Sequence, residues 1–146
     1  MGTTFVDIKE KGFWLRDSIL ELWLRFVALH IEDSPKDNSE AHKIRDEWLL
    51  ASRGYFNGCV PHNIEEIVST KNGKQIVIDA INSLLSELKK APDNLDMNVI
   101  NLMGCGEWRG NFETYRLVEL SEAILDLIDG KVGSGPEDTS FMPGCR

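Results

Sequence analysis

Apolar positions between residues 13 and 31 recur too densely for a one-sided helix. Wound at about 100° per residue, Asp17, Ser18, Glu21, Arg25 and Glu32 share one narrow polar stripe. Leu15, Ile19, Leu20, Leu22, Trp23, Leu24, Phe26, Val27 and Leu29 cover most of the remaining surface. A helix with so thin a wet face is expected to be enclosed by other elements. The pattern predicts a first helix over 12–32, ended by Asp33-Ser34-Pro35, because the residue before proline is pushed out of helical geometry.

Beyond a polar connector over 34–38, Ser39 is the expected N-cap of a second helix over 40–53. Ile44, Trp48 and either Leu49 or Ala51 face inward, and Gly54 supplies the left-handed stop. A short helix over 63–69 and a Lys71-Asn72-Gly73 turn are expected next. Over 75–90, Val77, Ile81, Leu84 and Leu88 keep helical spacing, Ile78 and Leu85 widen the stripe, and Lys89 and Lys90 suit the C-terminal dipole. The β-branched run Ile76-Val77-Ile78 alone would suit a strand; its continuation to Leu88 favours the helix.

Pro92 bars further extension, and Asp93 is expected to cap a helix holding Leu95, Val99, Ile100, Leu102 and Met103. Asn111 then caps a last helix over 112–129, with Leu117, Leu120, Ile124, Leu127 and Ile128 inside and Gly130 closing it. Two loops, 55–62 and 104–110, stand out for their glycines, cysteines and aromatics. No internal repeat, low-complexity tract or β-hairpin signal is evident. The expected fold is all-α, a compact bundle of five to six helices around a largely buried first helix. It forms a single domain over 1–130, followed by an irregular tail over 131–146 pinned back by Phe141 and Met142.

Composition refines this picture. A chain of 146 residues hides roughly 70% of its unfolded surface, enough for one core without disulfides or structural metal. The formal net charge is −8, with 16 basic against 24 acidic residues and no Lys/Arg cluster. Nucleic-acid affinity draws on Lys and Arg against phosphates, so no nucleic-acid partner is expected. Anionic membranes are disfavoured for the same reason, whereas basic proteins remain compatible. Residues 13–31 reach the roughly 20 residues of a bilayer span, but Arg16, Asp17, Glu21, Arg25 and His30 make membrane depth costly. No N-terminal leader pattern is expected in 1–12, where Asp7, Lys9, Glu10 and Lys11 interrupt any apolar run. Cys59, Cys105 and Cys145 are odd in number and widely spaced, which suits a reducing cytoplasm.

Candidate chemistry is sparse. Cys59 and His62, spaced C-x-x-H, form one zinc-type ligand pair, and Cys105, Cys145 or His42 would have to complete it. Cys105, framed by Gly104 and Gly106, is a candidate nucleophile if His62 or His42 lies near. The competing reading is a thiol packed inward beside glycines that supply tight turns. His30 is expected at the rim of the first helix. Asp46-Glu47 and Glu65-Glu66 are adjacent in sequence and point about 100° apart on a helix, so neither makes an acid–base dyad. No phosphate-binding glycine motif occurs, and no cofactor is expected.

The last helix carries the strongest surface signal. Glu119, Glu122, Asp126 and Asp129 make one acidic stripe, and like charges at that spacing repel by a few tenths of a kcal/mol per pair. Trp108 and Arg109, just before it, are residue types enriched in binding hot spots. The expected function is a non-enzymatic acidic helical protein-binding module, immunity-like or adaptor-like. Its partner contacts are Trp108, Arg109, Glu119, Glu122, Asp126 and Asp129. Two alternatives remain open: a structural, self-associating protein with an apolar patch around Trp14, and a small thiol- or metal-dependent enzyme using Cys59, His62 and Cys105.

Overall fold

The computed structural model describes residues 2–31, 39–54, 59–104 and 108–145. In chain order the elements are β1 (Thr3–Ile8), β2 (Lys11–Arg16), α1 (Asp17–Leu29), α2 (Ser39–Ala51), α3 (Ile64–Ile67), α4 (Lys71–Lys90), β3 (Asn94–Leu95), α5 (Met97–Met103), β4 (Phe112–Glu113) and α6 (Thr114–Ile128). Six helices are thus combined, among the described residues, with two antiparallel two-stranded sheets, β1–β2 and β3–β4. The fold is mixed α/β, which overturns the all-α expectation. The physical reason lies mainly in residues 3–16.

Thr4 and Val6 alternate with Phe5 along β1, as Phe13 and Leu15 do with Trp14 along β2. The register sets Val6 against Phe13 and Thr4 against Leu15, all four buried. Phe5 meets Trp14 on the other face, with ring centroids 5.3 Å apart. A short apolar run such as 13–16 fits a period of 2 or of 3.6, and only its cross-strand partners choose between them. The hairpin turns at Lys9 and Glu10, both left-handed with φ of 52° and 66°. That conformation matches the strand twist but is normally signalled by Asn or Gly. Gly12 is needed for close approach, since a Cβ there would lie 1.8 Å from the Val6 carbonyl oxygen.

Other parts of the chain meet both strands of the hairpin. Along β2 the Gly12 amide donates to the Ser134 carbonyl and the Trp14 indole to that of Pro136, at 2.9 and 2.8 Å. At β1 the Val60 amide donates to the Thr4 hydroxyl, and at the turn the Glu65 carboxylate accepts from the Lys9 amide. Trp14 therefore belongs to a half-buried strand face and not to the first helix.

Helix α1 starts five residues later than the pattern of 12–32 predicts. Extended Arg16 precedes it, the Asp17 amide donates to the Gly2 carbonyl, and the Asp17 carboxylate accepts the Thr4 hydroxyl at 2.6 Å. Nine of its thirteen residues are buried, including Asp17 and Glu21 from the predicted polar stripe. At its centre Trp23 packs against Trp48 of α2, with centroids 5.9 Å apart, and its indole donates to the Ser121 hydroxyl of α6 at 2.9 Å. The Trp48 indole in turn donates to the His62 carbonyl at 2.7 Å. α1 ends at Leu29 with His30 as its C-cap, short of the expected end at 32. Glu32, the expected stop at 33–35 and the connector over 34–38 lie outside the described residues, as do 55–58 and 105–107 of the two loops.

Other boundaries differ from expectation as well: α2 takes in Ser39 and stops at Ala51, and α3 is confined to Ile64–Ile67. Lys71, Asn72 and Gly73 form the first turn of α4 and not a separate turn, because the Thr70 hydroxyl caps the Gly73 amide and Glu40 accepts from Thr70 and Asn72. Asp96, not Asp93, caps α5 by accepting from the Asn98 amide; Asp93 offers its backbone carbonyl to the Thr114 amide instead. Leu95 and Phe112, expected in helices, face one another across β3–β4, so α6 begins at Thr114 without the Asn111 cap. Residues 131–145 hold no helix or strand but lie along the body. The Phe141 ring meets Phe13 edge-on at 6.1 Å, and Gly144 is held by Arg116 and Glu119.

Candidate functional site

Trp108 is held by its backbone. Its amide donates to the Asn101 side-chain oxygen at 2.6 Å, and its carbonyl accepts from the Asn101 side-chain nitrogen at 3.2 Å, which ties the residue to α5 at two points. Its half-buried ring meets Phe112 edge-on at 5.1 Å. The Arg116 guanidinium lies 5.1 Å from the Trp108 centroid and 4.8 Å from that of Phe112, and its Nε donates to the Gly144 carbonyl. Burial pulls this guanidinium below its ordinary pKa, yet it stays a cation held by π faces. Trp108 is therefore partly a structural residue, one wall of a clamp on the C-terminal segment. Arg109 beside it is exposed.

The outer face of α5 was not singled out from the sequence. Val99 and Leu102 are both exposed, Leu102 to 83%. α5 carries no charged side chain, so this face is apolar and amide only. Leu102, the chain neighbour of the Asn101 that holds Trp108, is the most exposed large apolar side chain among the described residues. Its sequence signal is weak: in a helix of seven residues, Val99 and Leu102 are spaced as readily for a core as for a contact face.

The acidic stripe does share one side of α6, but three of its members are engaged. Glu119 accepts from the Tyr115 hydroxyl at 2.5 Å and from the Gly144 amide at 2.9 Å. Glu122 lies 3.9 Å from the Lys89 ammonium and Asp129 lies 3.2 Å from that of Lys131. Asp126 is exposed on the same side. The lysines come from α4 and from the segment after α6, which is why α6 alone suggested unrelieved repulsion.

Cys59 is exposed, whereas His62 is committed elsewhere. Its Nδ1 accepts the Ile64 amide at 3.1 Å, at the start of α3. Burial holds its pKa below the usual histidine range, opposed by a hydrogen bond to the Phe5 backbone and by Asp7. A neutral ring in that role has its Nδ1 lone pair already used. Cys105 lies outside the described residues, Cys145 is half-buried near Arg116, and His42 is exposed. Among the described residues no group of three or more His, Cys, Asp or Glu side chains is arranged to hold a metal ion.

Two arrangements escaped sequence reasoning. Glu21 is a buried carboxyl whose Oε2 has no hydrogen-bond partner among the described residues, and burial followed by the neighbouring Asp17 charge pushes its pKa up to about 7. His30, at the end of α1, bridges Ser83 and Glu87 of α4. Neither is visible in a linear pattern, because both depend on what packs beside α1. No helix among the described residues is long and apolar enough to cross a membrane. No family model, curated protein or solved structure matches this chain.

Proposed function

We propose that this chain is a protein-binding module, immunity-like or adaptor-like, whose contact face is the exposed side of α5 together with Trp108 and Arg109. The observation that carries the reading is Leu102, 83% exposed on a chargeless helix whose Asn101 holds the Trp108 backbone. Exposed apolar side chains set beside a rigid aromatic and an arginine are the usual make-up of an interface centre. The net charge of −8 favours a basic partner, attracted at long range by exposed carboxylates such as Asp126 and Glu122. A cytoplasmic setting suits cysteines that are odd in number and scattered along the chain. This role needs no cofactor and no catalytic step.

Native mass spectrometry of the protein recovered gently from its source tests the idea. A partner in fixed stoichiometry is expected with the natural chain and lost in Leu102→Asp, and it should weaken in Glu122→Lys/Asp126→Lys. Leu102 gives a cleaner test than Trp108, because truncating the indole also removes a wall of the Arg116 clamp. Retention of the partner by a folded Leu102→Asp protein would sink the face assignment. A dimer mass in place of a foreign partner would transfer the reading to self-association.

A further inference from the structure

His30 ends α1 and reaches across to α4. Its Nδ1 lies 2.9 Å from the Ser83 hydroxyl and its Nε2 lies 3.0 Å from a Glu87 carboxylate oxygen. A carboxylate only accepts, so Glu87 fixes the proton of the neutral ring on Nε2 and leaves the Nδ1 lone pair to accept the Ser83 O–H. That is the ordering of a serine nucleophile, a base and an orienting carboxylate, which is recognised by geometry and role and not by chain order. Ser83 and Glu87 are one helical turn apart on α4, so one rigid element sets two of the three groups. Ser83 is exposed and the Glu87 side chain is 73% exposed, so a reagent has an open approach.

We propose that Ser83, His30 and Glu87 form a nucleophilic relay that accepts an acyl group from small activated esters. The Ser83 oxygen attacks the ester carbonyl carbon while its proton passes to His30 Nδ1. The carbon–oxygen bond to the leaving group breaks, and the departing oxygen takes that proton. Water then attacks the acyl-serine by the same route, giving the acid and restoring the Ser83 hydroxyl.

The substrate class follows from what α4, the helix that carries Ser83, does not offer. Ser83 sits inside α4, whose amides are used by the helix, so that element offers no backbone donors to a developing oxyanion. Removing even one such donor typically costs about 10²-fold or more in rate. Turnover is therefore slow and restricted to acyl donors whose leaving groups depart readily. This activity is independent of the partner-binding face, which lies on α5.

The test is reaction of the full chain with diisopropyl fluorophosphate, followed by intact mass and peptide mapping, with p-nitrophenyl acetate as a turnover probe. One adduct per chain on Ser83, with loss of fluoride, is expected. It should vanish in Ser83→Ala and form on the order of 10²-fold more slowly in His30→Gln. Glu87→Gln changes only an exposed side chain and should slow labelling about tenfold or more. The proposal is overturned if the folded natural chain forms no adduct, if the adduct lies on another residue, or if Glu87→Gln labels at the natural rate.

Discussion

Glu21 follows Asp17 by one turn of α1, and each residue is only 7% exposed. Asp17 has the Thr4 hydroxyl to compensate its charge, whereas Glu21 Oε2 has no hydrogen-bond partner among the described residues. The Glu21 pKa rises from 4.5 to about 7, first through burial and then through the Asp17 charge. The folded state therefore holds a proton that the unfolded chain releases nearer pH 4.5. This group favours folding most below that pH, and the advantage is lost as pH rises through about 7.

Urea unfolding at pH 5 and pH 8 is expected to give a natural chain less stable at pH 8. Glu21→Gln, which keeps the shape without the charge, should remove this part of the difference. Allowing for solvent screening, the effect is on the order of 1–2 kcal/mol. A variant with the same pH slope as the natural chain would contradict the assignment.

Arg116, stacked against the Trp108 and Phe112 rings, joins α6 to the C-terminal segment through the Gly144 carbonyl. Arg116→Ala is expected to lower stability by about 1–2 kcal/mol and to expose residues 131–145 to limited proteolysis. Arg116→Lys keeps the charge but not the planar stack, so it should rescue only part of the protection. Cleavage at the natural rate in Arg116→Ala would show that other contacts hold the segment.

Ser121 is fully buried and serves the Trp23 indole. Ser121→Ala strands that N–H in the core, with an expected loss of about 1–3 kcal/mol in chemical unfolding. Trp23→Phe in the same background removes the orphaned donor. The double variant should therefore lose less than the sum of the two single changes, by a double-mutant cycle.

The hairpin turn holds two ordinary residues in the left-handed region, Lys9 at φ 52° and Glu10 at φ 66°. A non-glycine residue there carries a penalty of about 1 kcal/mol. Glu10→Gly is expected to raise the thermal midpoint, and Lys9→Asn/Glu10→Gly further, because Asn-Gly is the favoured pair for this turn. An unchanged or lower midpoint would mean that lost turn entropy outweighs the relieved strain.

Helical periodicity was legible wherever a segment was long and packed on one side. α4 and most of α6 follow their apolar spacing, and Trp23, Trp48, Leu84 and Ile124 are buried as their positions imply. These choices are local: hydrophobic spacing and chain stiffness decide them whatever the rest of the molecule does. The apolar run over 13–31 specified burial equally clearly, but not backbone geometry. Phe13 to Arg16 became a strand only because Thr3–Ile8 pairs with it through a turn that carries no sequence mark.

The same division holds at the candidate sites. Residue type pointed to Trp108, Arg109 and the carboxylates of α6, since those side chains are conspicuous in sequence alone. Tertiary structure decided that Arg116 braces Trp108, that Lys89 and Lys131 flank the acidic stripe, and that Glu21 lies buried beside Asp17. It also joined His30 to Ser83 across 53 positions of chain. Desolvation and pairing depend on distances through space, and a linear pattern fixes distance only within an element.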